Sequence, residues 1–225
     1  MTTMKLARAV LCVVAVWTIA ACTDGLTDIN VNPNAPTDVP VSFLLPQSIQ
    51  AGVRQVFGVG EMLQHSGIWS QHFVQIQYAD EERGQVRPGR MESFWATYYA
   101  GPLMDIQRVV DKALANGAPN IEGVGRIWRS WLFHHVTDLW GDVPYSEALA
   151  NENNTTPAYD SQSDVYSGLF LDLTTGANLI TSSGSDFGTG DILYGNDFEK
   201  WRRFGNSLRM RLAMRLSNVD PETAR

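Results

Sequence analysis

Cysteine is nearly absent from this chain: its 225 residues include two, Cys12 and Cys22. Cys12 falls inside an apolar N-terminal stretch, so a chain that begins at Cys22 has no second thiol and must be stabilised by packing. A membrane-spanning run is also lacking. The one candidate, Ala9 to Ala20, is shorter than the about 20 apolar residues a transmembrane helix needs. No period-2 alternation persists for more than a few residues, which leaves no case for a substantial sheet. There is no Gly-x-Ser-x-Gly elbow, no phosphate-binding glycine loop and no His-Glu-x-x-His, so the familiar signatures of hydrolysis are missing. Positive charge is scarce, with 17 Lys and Arg against 24 Asp and Glu, a net charge of -7. That balance excludes general electrostatic attraction to nucleic acid or to anionic membrane.

What is present begins with a lipoprotein-type signal. Met1 to Arg8 carries Lys5 and Arg8 and no acid, Ala9 to Ala20 forms an apolar core, and Ile19-Ala20-Ala21-Cys22 closes it. Cleavage before Cys22 removes two positive charges, taking the net charge from -7 to -9, and offers Cys22 as the site of lipid attachment. Several acyl chains on one residue give stable anchoring, where a single chain gives only reversible binding. Residues 1–21 are therefore expected to be a signal peptide and 22–40 a lipid-anchored tether. The tether is rich in Asp, Asn, Thr and Pro and poor in large apolar side chains.

Residues 41–225 change to a helical period. The pattern predicts helices over Phe43–Phe57, Met62–Ile76, Ser93–Leu114 with Ser93 as N-cap, Ile121–Trp140, Asp164–Ile180 and Asp197–Leu216. Pro102 predicts a kink, Asn116-Gly117 and Gly141 predict stops, and Tyr78–Arg90, rich in charge and glycine, predicts a sizeable loop. The fold class expected is all-α, with tetratricopeptide-like helical hairpins stacked into an α-solenoid and joined by irregular loops.

Three segments carry a resemblance. They are Asp28-Ile29-Asn30-Val31-Asn32-Pro33-Asn34-Ala35-Pro36, Thr137-Asp138-Leu139-Trp140-Gly141-Asp142-Val143-Pro144-Tyr145-Ser146-Glu147-Ala148, and Asp191-Ile192-Leu193-Tyr194-Gly195-Asn196-Asp197 with Lys200-Trp201 and Asn206 to Ala213 after it. In this order, behind Cys22, the chain resembles the SusD/RagB family of outer-membrane nutrient-binding lipoproteins, in its SusD-like branch. The resemblance covers the front of a family member, so further helices would be expected after the domain at 41–225, and the chain is either a fragment or a truncated member. It implies a surface-exposed, lipid-anchored binder at the outer membrane, not an enzyme, without cofactor. Its partners would be an oligosaccharide or other nutrient and a SusC-like TonB-dependent transporter that receives it, with no nucleic acid. The alternative is a lipid-anchored helical-repeat scaffold that binds only a protein partner.

A sugar-capturing surface needs flat aromatic faces and a few planar polar groups. The Tyr78–Arg90 loop and the next helix offer Tyr78, Arg83, Arg87 and Trp95 as candidate ligand-binding residues. The spacing of Trp95, Tyr98 and Tyr99 equally suits packing of a helix pair, and for Tyr98 and Tyr99 packing is the expectation. His134 and Asp138 share a helix face without a clear third ligand, so they are read as a hydrogen-bonded pair supporting the Trp140–Asp142 turn, with no metal. The spaced aspartates of Ser185–Asp197 lack the pattern of a calcium loop and read as caps and turns. The arginines of the last helix flank an apolar stripe and read as a salt-bridged or solvated edge. Asp80, Glu81 and Glu82, or Asp138 and Asp142, are the available carboxylate pairs for a hydrolase, but nothing sets their separation.

Overall fold

Val41–Phe57 forms the first helix, α1, starting straight after Pro40, whose carbonyl accepts the Phe43 and Leu44 N–H groups at 3.0 and 3.3 Å. It belongs to a computed structural model that describes residues 38–58, 60–150, 153–181 and 183–225. The signal segment, Cys22 and Asp28–Pro36 lie outside the described residues. Pro40–Arg225 is one compact unit, separate from Met1–Val39. Regular structure among the described residues is helical, with one isolated antiparallel bridge between Val143 and Asp160. No helix among them is long and apolar enough to cross a membrane.

The chain continues through a π-helical turn, Met62–Ser66, into the short α2, Gly67–Trp69. The helix expected over Met62–Ile76 stops there. Gln71 adopts φ 60°, and the His72 and Phe73 N–H groups both turn back to the Gly67 carbonyl at 2.8 and 3.0 Å. Val74 and Ile76, inside the span expected to be helical, are left 78% and 96% exposed. The irregular stretch is longer than the expected Tyr78–Arg90 loop, running over residues 70–87, and contains a 3-10 turn, Glu81–Arg83. Helix α3, Pro88–Tyr98, starts inside it because Pro88 can occupy the first helical turn without an N–H to satisfy. Ser93 therefore lies within the helix and is not its cap.

Pro102 breaks the helix as its chemistry requires. A π-helical turn, Tyr99–Leu103, with Gly101 at φ -110° and ψ -107°, separates α3 from α4, Met104–Asn116. Ser48 secures this kink, since its hydroxyl donates to the Pro102 carbonyl at 2.7 Å and accepts from Trp128 Nε1 at 3.0 Å. Gly117, at φ 61° and ψ 45°, ends α4 in the left-handed conformation. Helix α5, Pro119–Trp140, again begins at a proline and ends at Gly141, whose φ of 74° suits glycine, though its ψ of -113° is outside the left-handed helical region. Helix α6, Gln162–Leu179, is capped by Ser161, and α7, Phe198–Arg215, by Asp197, each side chain accepting a backbone N–H of the first turn.

Helix α5 is central, touching α1, α4, α6 and α7. It runs antiparallel to α4, since Arg129 meets Gln107 near the start of α4 and Gly125 meets Val110 further along. It also runs antiparallel to α6, since Gly123 meets Gly176 at one end and Asp138 meets Tyr166 at the other. Helix α7 returns along α6, bringing Arg215 to Tyr166. Successive antiparallel helix pairs of this kind are the expected tetratricopeptide-like arrangement. Trp128, Leu132, Val136, Leu169, Leu173, Trp201 and Leu212 fill the space between them.

Candidate functional site

The connection between α5 and α6 positions the most distinctive surface of the chain. Asp160 ties its two ends together: its carboxylate accepts the Tyr145 and Ser146 N–H groups, each at 2.9 Å, and the Ser146 hydroxyl at 2.7 Å. Burial raises the Asp160 pKa, but these donors outweigh it and hold the carboxyl below its ordinary range. The Val143–Asp160 bridge and the Tyr99 hydroxyl, donating to the Pro144 carbonyl at 2.7 Å, fasten the same loop to the helices. Burial pushes the Tyr99 hydroxyl pKa up, with Tyr159 and Asp160 adding to the shift.

Fixed in this way, Tyr159 lies against Trp95 of α3, their rings 14° from parallel with centroids 6.1 Å apart. Trp140, at the end of α5, stands perpendicular to Trp95 at 5.3 Å. The three rings line a cleft of about 460 Å³, completed by Pro88, Met91, Glu92 and Asp142. Tyr159 is 66% exposed, and Trp95 and Trp140 are half-buried. Their support is a second aromatic layer, with Tyr99 behind Trp95 at 4.8 Å and Tyr98 edge-on to Trp140 at 6.2 Å.

Tyr98 is wholly buried and donates its hydroxyl to Glu61 Oε2 at 2.9 Å. Burial pushes the Glu61 carboxyl up to about 7, opposed by the Tyr98 hydrogen bond and assisted by the charge of Asp138.

The four ligand-binding candidates divide into two groups. Arg87 sits over the Tyr78 ring, 5.7 Å from its centroid, and donates to the Tyr78 carbonyl at 2.5 Å. The same guanidinium reaches Asp80 at 3.0 Å and the fully buried Glu81 at 3.2 Å, so Arg87 braces the loop internally. Arg90 approaches Glu81 from the other side at 3.5 Å. Arg83 is exposed on the 3-10 turn and Tyr78 is exposed beside it. Trp95 lies instead in the aromatic cleft, where it both packs and presents a face.

Sequence reasoning missed Tyr159 altogether and treated Trp140 only as part of a turn. The available signal was a tyrosine in Thr155-Thr156-Pro157-Ala158-Tyr159-Asp160, a run with no helical period to give that ring a packing role.

A larger cavity, about 810 Å³, lies between α6 and the turns after α7, lined by Asp138, Tyr166, Phe170 and Arg215 among others. Its polar groups satisfy one another. Tyr166 donates to Asp138 at 2.7 Å, and Arg215 reaches Asp138 at 2.7 Å and the Tyr166 oxygen at 3.2 Å. His134 Nε2 is 3.0 Å from the same Asp138, so this His–Asp pair ties three helices together as well as standing near the α5 terminus. Burial raises the Asp138 pKa, but His134, Tyr166 and Arg215 outweigh it and leave it low. Larger size here accompanies fewer free contacts, and the aromatic cleft is the better candidate. Among the described residues no group of three or more His, Cys, Asp or Glu is arranged to hold a metal. In the Ser185–Asp197 turn, Asp191 accepts the Leu193, Tyr194 and Asn196 N–H groups and Trp201 Nε1, as a capping role requires.

The scaffold is a stack of antiparallel helical hairpins, with an open aromatic cleft at the irregular connection between α5 and α6. The model of the SusD-like family described as "Starch-binding associating with outer membrane" matches residues 33–225, and the chain belongs to that family. Comparison with curated proteins finds no match. Among solved structures, a chitin-binding protein shares 29% identity at a TM-score of 0.70, over 82% of this chain and 41% of that one. A SusD homolog from Parabacteroides distasonis shares 27% at 0.69, over 81% and 36%. A chitin-binding SusD homolog from Flavobacterium johnsoniae shares 25% at 0.62, over 79% and 40%. The chain thus spans about two fifths of the length of these structures, or less.

Proposed function

We propose that this chain captures a carbohydrate nutrient, an oligosaccharide, at the outer membrane and passes it to a SusC-like TonB-dependent transporter. It acts as a binder and not as an enzyme. Residues 1–21 are its signal peptide, Cys22 carries the lipid, 22–40 are the tether and 41–225 the SusD-like helical domain. The observation that carries the reading is the near-parallel pair Trp95 and Tyr159 beside the perpendicular Trp140. The C–H face of a pyranose stacks on such rings, and a shallow open cleft admits a chain of sugars that continues beyond it. The chitin-binding description of two similar structures supports a glycan as the ligand. Tyr78, Arg83 and Arg87 form a second contact region in this proposal, with Tyr78 and Arg83 offering the free surface.

Titration calorimetry of the purified protein with N-acetylglucosamine and maltose-series oligomers tests capture. Binding of at least one series, weakened by Trp95→Ala without a change in circular dichroism, is expected; no binding by any series would defeat the reading. The transport step is tested by gentle-detergent co-purification from the native outer membrane, with Cys22→Ser as control. A large TonB-dependent barrel should accompany the lipidated form. The scaffold alternative draws on the exposed Phe73, Val74 and Ile76, which suit a protein surface. It requires barrel or partner binding to persist where no glycan binds.

A further inference from the structure

The cleft that carries the proposed function has an uncompensated charge. Two carboxylates, Glu92 and Asp142, line it beside the three aromatic rings, and no Lys or Arg is among its lining residues. Several acidic groups elsewhere in the fold are paired with arginine: Glu81 with Arg87 and Arg90, Asp172 with Arg126 and Arg129, Asp138 with Arg215, and Glu199 with Arg202 and Arg203. Others, such as Asp160, Asp191 and Glu61, have their carboxylates occupied by N–H or O–H donors. Glu92 and Asp142 are in no such pair among the described residues, and both are exposed. Asp142 Oδ1 accepts the Gln162 N–H at 2.9 Å at the start of α6, which fixes the carboxylate and leaves its other oxygen for a ligand.

Aromatic faces attract cations through their negative quadrupole, Trp most strongly, and neighbouring carboxylates add to that attraction. A neutral pyranose would use the rings and make little of the charge. A pyranose bearing a protonated amine would use both. Resting on the carbohydrate-capture reading above, we infer that the cleft selects an amino sugar with a free amine, a glucosamine-type unit, over its N-acetylated or neutral counterpart. The ring faces of Trp95 and Tyr159 receive the sugar, and Glu92 and Asp142 receive the ammonium group. A lysine-bearing peptide shares the ammonium but has no flat ring for the paired aromatic faces, so the geometry favours the sugar.

The test compares glucosamine tetramer, N-acetylglucosamine tetramer and trilysine by titration calorimetry at about pH 6, where amines are protonated, at low and high salt. The glucosamine tetramer should bind at least about tenfold more tightly than the acetylated one, a preference that shrinks in high salt as the charges are screened. Glu92→Gln and Asp142→Asn should bring the two affinities close together, and the Asn amide oxygen still accepts the Gln162 N–H, so the loop is kept. Trp95→Ala should weaken both sugars, the glucosamine tetramer somewhat more because the ring also attracts its ammonium group. Equal affinities, or a preference for the acetylated tetramer, would overturn the amine selection while leaving carbohydrate capture in place. Tighter binding of trilysine than of glucosamine tetramer would overturn the amino-sugar assignment. Failure of all carbohydrates, including the neutral series, would remove both readings.

Discussion

Trp95 and Tyr159, far apart in sequence, lie with their rings 14° from parallel and 6.1 Å apart because Asp160, the residue after Tyr159, anchors the loop through Tyr145 and Ser146. A helix supplies one ring and an irregular connection supplies the other. The fold contributes rigidity on one side and the loop contributes the exposed face, a common division of labour in binding proteins.

Tyr159→Ala should reduce affinity for the oligosaccharide by about five- to tenfold, an aromatic-face effect of about 1 kcal/mol. Because Tyr159 is 66% exposed, thermal stability should change little. Tyr159→Phe should keep the affinity, since the ring face and not the hydroxyl makes the contact. Calorimetry on both variants checks this.

Asp160→Asn should loosen the loop and cost about 1 kcal/mol, measured by thermal unfolding at neutral pH. The Asp160 carboxyl titrates below its ordinary range in the folded chain. Its contribution is therefore present above the unfolded value, about 3.9, and is lost as pH falls through the folded value. The wild type should lose this stability in that acid window, so the gap between wild type and variant should narrow there.

Glu61 should act with the opposite sign. Its folded pKa, about 7, lies above the ordinary 4.5, so folding favours the protonated carboxyl. Its contribution is complete below the unfolded value and disappears as pH rises through about 7, a change of up to about 3 kcal/mol. Glu61→Gln still accepts the Tyr98 hydroxyl and carries no charge. Stability curves from pH about 4 to about 8 should show a decline in the wild type that the variant lacks, making the variant the more stable above neutrality.

Gly123→Ala should destabilise despite alanine's better helix propensity. A Cβ at Gly123 would lie 2.6 Å from the Gly176 carbonyl oxygen and 2.8 Å from Ile180, where α5 and α6 cross backbone to backbone. Separating the two helices should cost about 1–3 kcal/mol, more than the about 1 kcal/mol that propensity returns. Denaturant midpoints of Gly123→Ala and wild type decide the balance.

Periodicity made the helical faces legible. Ile106, Val109, Val110 and Ala113 are buried at helical spacing, as are Leu208 and Leu212, and Pro102 and Gly117 break the chain as expected. The early end of the second helix was hidden because Phe73, Val74 and Ile76 are apolar enough to extend a helical pattern, while the turn at Gln71 depends on backbone conformation. The site was less legible for a related reason. Trp95 stood out by residue type, but the Val143–Asp160 bridge that brings Tyr159 to it is a pairing across an irregular connection, and local pattern carries no record of such a pairing. The loop arginines looked free in the sequence because the burial of Glu81, which engages Arg87 and Arg90, is a tertiary property.

A crystal structure of the protein with a bound oligosaccharide, chosen as the tightest binder by calorimetry, would locate the sugar relative to the aromatic cleft. A sugar ring should sit on the faces of Trp95 and Tyr159, with Trp140 at its edge. An ordered oligosaccharide bound elsewhere, with the aromatic cleft empty, would contradict that placement.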